Sequence, residues 1–160
     1  MKLTLGQIAR WSAAELAGGA ESTTATGYSI DSRTLRPGEL FFAIRGERFD
    51  GHDFVALALE RGACAAVIAR DRVAGLSGAA ARLTTDDPLA ALQRLAAAVR
   101  RHWGKRVVAI TGSAGKTTTK EAIAAVLAAR FHVLKSQGNL NNGFGLPLQL
   151  LRLEPEHEVA

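Results

Sequence analysis

The sequence predicts an α/β protein in two consecutive units: a small mixed α/β unit over residues 1–84, then the beginning of a phosphate-loop, parallel-sheet unit over residues 85–160. Three observations predict it. The apolar run Val107–Ile110 stops at a turn bracketed by Gly112 and Gly115 and is followed at once by Lys116-Thr117-Thr118. Short strand-like runs alternate with helical ones, the arrangement of α/β folds. Near residue 84 the pattern changes from mixed short elements to strand–helix–strand.

Each element has a local cause. Thr4 and Gln7 form a possible capping box for a first helix, with Ile8, Trp11 and Leu16 on one face and Gly18-Gly19 as its stop. Tyr28–Asp31 and Leu40–Ile44 read as short strands separated by the turn Arg36-Pro37-Gly38. The polar segment Gly46–Asp53 reads as a loop, and a helix from about Asp53 to Arg61 ends at Gly62. Ala65–Ala69 is a buried strand, and 75–78 a turn. Asp86-Asp87-Pro88 starts a helix with proline at the first position; Leu89, Leu92, Leu95, Ala96, Val99 and Trp103 share a face, and Gly104 ends it. Strand 107–111, helix 116–129 and strand 132–135 make a βαβ unit with a parallel, right-handed crossover. A loop over Ser136–Gly143 leads to a last helix near Pro147. The end, His157–Ala160, reads as the start of a further strand, so a fragment of a longer enzyme is expected.

The turn after Ile110 has the chemistry of a triphosphate site. Glycines at 112 and 115 allow a curled backbone whose N–H groups face phosphate oxygens. A helix beginning at Lys116 aims its unbonded N–H groups and positive dipole end at the same charge. Lys116 would reach the β- and γ-phosphates and the Thr117 hydroxyl a Mg²⁺ ion. The nucleotide-binding residues are therefore Thr111, Gly112, Ser113, Ala114, Gly115, Lys116, Thr117 and Thr118, with Lys116 and Thr117 catalytic and Thr117 the metal ligand. The long form of the motif wants glycine where this chain has Ile110; the shorter Thr-Gly-Ser-Ala-Gly-Lys-Thr stands instead.

Composition sets the bounds. Of 160 residues, 48% are hydrophobic and 6% aromatic, so the core is aliphatic, helix on sheet. The net charge of +5 is scattered, apart from Arg100-Arg101 and Lys105-Arg106 near a helix end, so nucleic acid is not expected as a partner. Cys64, the single cysteine, has no internal disulfide partner and reads as a small buried hydrophobe. There is neither a basic-then-apolar leader nor an apolar run of about 18 residues, so a cytoplasmic chain without a membrane span is expected.

Three segments carry polar residues where a core role is not expected: Asp31-Ser32-Arg33, followed by Pro37-Gly38 and Phe41-Phe42-Ala43; Gly46 through Asp50-Gly51-His52-Asp53-Phe54; and Gly138-Asn139-Leu140-Asn141-Asn142-Gly143-Phe144-Gly145-Leu146-Pro147-Leu148. Each alone is compatible with an ordinary turn. Together with the phosphate loop they resemble the N-terminal portion of the Mur ligases. Asp-Ser-Arg, Pro-Gly-Glu-Leu-Phe-Phe-Ala and Asp-Gly-His are shared by the MurE and MurF types. The phosphate loop and the Gly-Asn-Leu-Asn-Asn-Gly-Phe-Gly segment lean towards the MurF type.

The resemblance implies an ATP- and Mg²⁺-dependent ligase of peptidoglycan synthesis, joining D-Ala-D-Ala to UDP-MurNAc-tripeptide through an acyl phosphate. Residues 1–84 correspond to the domain that holds the UDP-MurNAc-peptide, and residues 85–160 to the opening of the ATP-binding domain. Ser32, Arg33, Asp50, Gly51 and His52 fall near the uridine and diphosphate, with His52 stacking on or donating to the nucleotide. Asn139, Asn141 and Asn142 fall on a substrate-binding loop. A monomer is expected. Later family residues, a second metal-binding carboxylate and a lysine among them, are not in this sequence, so no turnover by the 160 residues alone is expected. Alternatives are a MurE-type ligase, a phosphate-loop kinase or GTPase, and a non-catalytic UDP-sugar-binding module. The kinase reading leaves Asp31-Ser32-Arg33 and Asp50-Gly51-His52 without a role.

Overall fold

The computed structural model describes residues 1–75, 81–138 and 143–160. It is a mixed α/β fold with a mostly parallel sheet. Among the described residues the strands are β1 (Leu3–Thr4), β2 (Glu15–Ala17), β3 (Thr24–Ala25), β4 (Gly27–Ser29), β5 (Glu39–Phe42), β6 (Ala65–Ala69) and β7 (Arg82–Thr85). The helices are α1 (Leu5–Ser12), α2 (Val55–Glu60), α3 (Pro88–Trp103), α4 (Lys116–Ala128) and α5 (Gly145–Leu150). The main sheet has the order β2-β7-β6-β5-β4, with only β2 antiparallel to its neighbour. β1 and β3 form a separate antiparallel pair.

Strand β6, and β5 from Leu40 onward, read as continuous apolar runs because both faces of the sheet are covered. Leu40, Phe42, Ala65, Val67 and Leu83 point to one face, where Leu92, Leu95 and Val99 of α3, Ile8 of α1 and Leu151 complete a core. Phe41, Ala43, Ala66 and Ile68 point to the other, against Val55 and Ala58 of α2. This alternation locks the register, since a one-residue slip would exchange the two faces.

The helix signals act as expected at α1 and α3. Thr4 accepts from the Gln7 N–H, and the Gln7 side chain accepts from the Thr4 N–H, a reciprocal box. Asp87 Oδ1 accepts from the N–H groups of Leu89 and Ala90 at 2.8 and 3.1 Å. Gly104, at φ 71°, closes α3 in the left-handed region.

Three elements differ from expectation. α1 ends at Ser12, because Ala13 turns into the left-handed region at φ 56°, and Leu16 lies instead on edge strand β2. β7 is a strand that the sequence does not announce. The segments around Arg106 and Val133 do not pair with each other: each makes a parallel bridge to Val159, which lies between them. The chain end is thus the central member of this second set of pairings. Trp103 Nε1 donates to the carbonyls of Glu154 and His157, both at 3.2 Å, and so fixes that end beside α3.

The hydrophobic core runs across residue 84. α3 covers the first sheet, and Leu151 and Leu153 join the same cluster. By contrast, α4 buries none of its residues. No helix among the described residues is long and apolar enough to cross a membrane.

Candidate functional site

The segment expected to hold phosphate, residues 111–118, is an exposed turn feeding α4. Gly112 has φ 150° and Gly115 φ 76°. A Cβ on Gly115 would meet nothing within 4 Å, so glycine is needed there for backbone angle, not for space. Gly115 caps α4 without any side-chain hydrogen bond. The first intrahelical bond runs from Thr119 N–H to Gly115 O at 2.9 Å, which leaves the N–H groups of Lys116, Thr117 and Thr118 free to meet an anion. The Lys116 ammonium donates to Gly112 O and so lies over the turn. Thr111, Gly112, Ser113, Ala114, Gly115, Thr117 and Thr118 are all exposed; Lys116 is half-buried.

Behind this turn lies a cleft of about 500 Å³. Its floor is aliphatic, with Val107, Ile110, Ile123, Leu127 and Leu150, and its polar rim includes Gly112, Lys116, Thr117 and Lys120. Charge can be held only at that rim, since burying a phosphate on the apolar floor would strip its water without replacing it. Lys120 bonds Ser136 O at 2.8 Å and pairs with Glu121, whose carboxyl is held below the usual range by Lys135 first and Lys120 second. These contacts fasten the start of α4 to the segment after Val133.

A second set of residues gathers at the carboxyl ends of the parallel strands, where open α/β sheets bind ligands. After β4, Asp31 accepts from Arg33 Nε at 2.9 Å and Nη2 at 2.7 Å, a two-pronged pair. Those bonds hold the Asp31 carboxyl below its ordinary value against partial burial. Ser32 is buried, and its carbonyl accepts from Arg61 Nη1 at 2.7 Å.

After β5 the chain makes a tight turn closed by Gly46 N–H to Phe49 O at 2.9 Å and an Arg45–Asp50 bridge. Asp50 caps the 3-10 turn Gly51–Phe54. Its Oδ1 accepts from His52 N at 3.0 Å and His52 Nδ1 at 2.6 Å. Its Oδ2 accepts from Arg45 Nε at 3.2 Å and Arg72 Nη2 at 2.9 Å. Burial raises the Asp50 pKa, but the bonds from His52 and Arg45 outweigh it and hold the carboxyl far below the usual range. His52 Nε2 accepts from Ala69 N–H at 2.9 Å. A ring whose Nε2 accepts carries a proton on Nδ1, the nitrogen that faces Asp50. Gly51 is required for close approach: a Cβ would lie 2.6 Å from Ile44 N.

The expectation for His52 thus takes a different form. Both ring nitrogens are engaged within the chain and the side chain is 7% exposed, so it is not positioned to stack on or donate to a ligand. Asp50 likewise spends its oxygens on His52, Arg45 and Arg72. Arg33, Arg45 and Arg72 are among the exposed residues here. Arg45 and Arg72 were not singled out by the sequence reading; the signal available was their place just after two buried strands. Asn139, Asn141 and Asn142 lie outside the described residues. The segment leading to them is held where Gln149 Oε1 accepts from Gln137 N at 3.1 Å.

Comparison with known proteins places this geometry in a family. The model of the Mur ligase family, catalytic domain, matches residues 24–137. The UDP-N-acetylmuramoyl-tripeptide–D-alanyl-D-alanine ligase of Synechocystis is 47% identical over 130 residues, 81% of this chain and 28% of the relative. The crystal structure of MurF from Acinetobacter baumannii superposes with a TM-score of 0.89 at 34% identity, over 100% of this chain and 35% of that one. MurF from Thermotoga maritima, solved with ADP, gives 0.72 at 36% identity, over 84% and 31%. The chain therefore spans about a third or less of the length of the proteins it matches. With a family match over most of its length and a relative at nearly half identity, the chain belongs to the Mur ligase family.

Proposed function

We propose that this chain is the N-terminal part of a MurF-type ligase, a protein that uses ATP and Mg²⁺ to join D-Ala-D-Ala to UDP-MurNAc-tripeptide. Residues 1–84 contribute the UDP-substrate unit, residues 85–160 open the nucleotide unit, and α3 joins the two through the shared core. The single observation that carries the reading is the uncapped start of α4 behind a glycine-hinged turn, with Lys116 over it.

The residues fit the ligands. A carboxylate is a poor electrophile, and ATP supplies the phosphoryl group that gives it a good leaving group. The free N–H groups of residues 116–118 and the Lys116 ammonium neutralise charge on the transferred group and hold it in line. For that, Lys116 exchanges its bond to Gly112 O for phosphate oxygen. The Thr117 hydroxyl, exposed at the first turn of α4 beside the loop, would hold the Mg²⁺ ion, which would neutralise phosphate charge there. Arg33 and the buried Ser32 serve the uridine diphosphate end, and Asn139, Asn141 and Asn142, which lie outside the described residues, would offer uncharged hydrogen-bonding groups to the substrate. The MurE type is the weaker alternative: the similar chains above carry the D-alanyl-D-alanine ligase name.

Calorimetric titration of the chain with Mg-ADP and, separately, with UDP tests the reading. Binding of each at a separate site, with Lys116→Ala losing only Mg-ADP, supports it. Loss of neither ligand in Lys116→Ala removes the nucleotide assignment.

A further inference from the structure

We propose that Lys120 and Gln149 are positioning residues that fasten residues 135–137 between α4 and α5, and that this fastening makes nucleotide and UDP-linked substrate bind cooperatively. The inference rests on the two-ligand reading above and adds a link between its two sites.

Residues 135–137 follow the bridge of Val133 to Val159 and lead directly to Gly138 and the asparagine-bearing segment. Three side chains grip them. From α4, Lys120 Nζ donates to Ser136 O at 2.8 Å. Also from α4, Glu121 pairs with Lys135, the first cause of its lowered carboxyl pKa. From α5, Gln149 Oε1 accepts from Gln137 N at 3.1 Å. Arg152 Nη1 donates to the same oxygen at 3.1 Å and fixes its direction.

The two sides of this grip differ. α5 is anchored: Gln149 is buried, Leu148 and Leu150 pack against the main core beneath α3, and Leu151, just after the helix, belongs to that core. α4 buries none of its residues, so polar ties set its place beside residues 135–137. The Lys120 bond is the best shielded of them. Its side chain is 18% exposed, against 48% and 46% for Glu121 and Lys135, so water and salt compete least for it.

Lys120 stands one helical turn after Lys116, and both border the same cleft. An anion seated on the free N–H groups of residues 116–118 draws in Lys116 and holds the start of α4. Through Lys120 the same event holds Ser136, while Gln149 holds Gln137 to the fixed core. Substrate then meets a segment that is already ordered, and binds more tightly than it would alone. Linkage is reciprocal, so each ligand strengthens the other by the same factor.

The test is calorimetric titration of the full chain with UDP-MurNAc-tripeptide, without and with saturating Mg-ADP. In wild type, Mg-ADP is expected to raise the affinity about fivefold, the lower end of ordinary coupling between sites. In Lys120→Ala and in Gln149→Leu the ratio is expected to fall towards one. Lys120→Arg, which keeps a donor for Ser136 O, is expected to retain most of it. The readout is a ratio, so a change that weakens substrate equally in both states, as a merely structural role does, leaves it where it is. Circular dichroism melting shows whether each variant is folded. A ratio of one in wild type, or the full wild-type ratio in either folded variant, overturns the proposal while both sites stand. Failure of wild type to bind UDP-MurNAc-tripeptide overturns the substrate reading and the proposal with it.

Discussion

His52 Nε2 accepts a hydrogen bond from Ala69 N–H at 2.9 Å, linking the turn after β5 to the end of β6 across 17 residues of chain. Around this bond the carboxyl edge of the sheet is organised. Removing the imidazole leaves the Ala69 N–H without its partner and takes one of two donors from Asp50 Oδ1, in a part-buried place. His52→Ala is expected to cost about 1–3 kcal/mol, read as a lower denaturant midpoint at unchanged slope. An unchanged midpoint would show that the bond contributes nothing.

Asp50 predicts an acid-sensitive contribution. Its folded pKa is depressed, so its stabilisation is fully present above the unfolded value of about 3.9 and is lost as pH falls through the folded value. Wild type is expected to lose more stability than Asp50→Asn between pH 5 and the acid limit of folding, both pH values taken as approximate bounds on the order of the carboxyl range. Parallel acid-melting curves for the two proteins would contradict this.

Gly51 is where a single methyl meets main chain rather than a yielding side chain. An added Cβ would stand 2.6 Å from Ile44 N and 2.8 Å from Ile44 O. Gly51→Ala is expected to destabilise by roughly 1–3 kcal/mol, as overpacking does, and to loosen the Arg45–Asp50 turn. Thermal melting reads the first effect, and amide exchange at Gly46 and Gly51 the second.

Asp87 holds the start of α3, the helix that covers the sheet. Asp87→Ala removes the acceptor for two N–H groups and is expected to cost about 1 kcal/mol. A melting temperature equal to that of wild type would mean that water replaces the cap without loss.

Much of this was legible in the sequence, for local reasons. The Thr4/Gln7 box, the Asp87-Pro88 start and the Gly104 stop are short-range devices, and each acts on its own helix. Ala65–Ala69 is readable because a strand buried on both faces is apolar throughout. β2 was not readable: Glu15–Ala17 has helix-compatible residues, and only pairing with β7 makes it a strand. Arg106 and Val133 look like neighbours along a βαβ unit, but the strand between them comes from the far end of the chain, and pairing order is non-local. At the site, the turn before α4 is announced by Gly112 and Gly115, which take the positive φ angles expected of them. The inward turn of Asp50 and His52 is not, because it depends on Arg72 and Ala69 arriving from another strand.

The most direct test of the central claim, that the main-chain amides from Gly112 to Thr118 receive a nucleotide's terminal phosphates, is an amide chemical-shift map of the chain titrated with Mg-ADP. The account predicts that the largest shifts fall on Gly112 through Thr118 and that Lys116→Ala abolishes them. Nucleotide binding that leaves these amides unmoved, with the shifts clustered elsewhere, would contradict it.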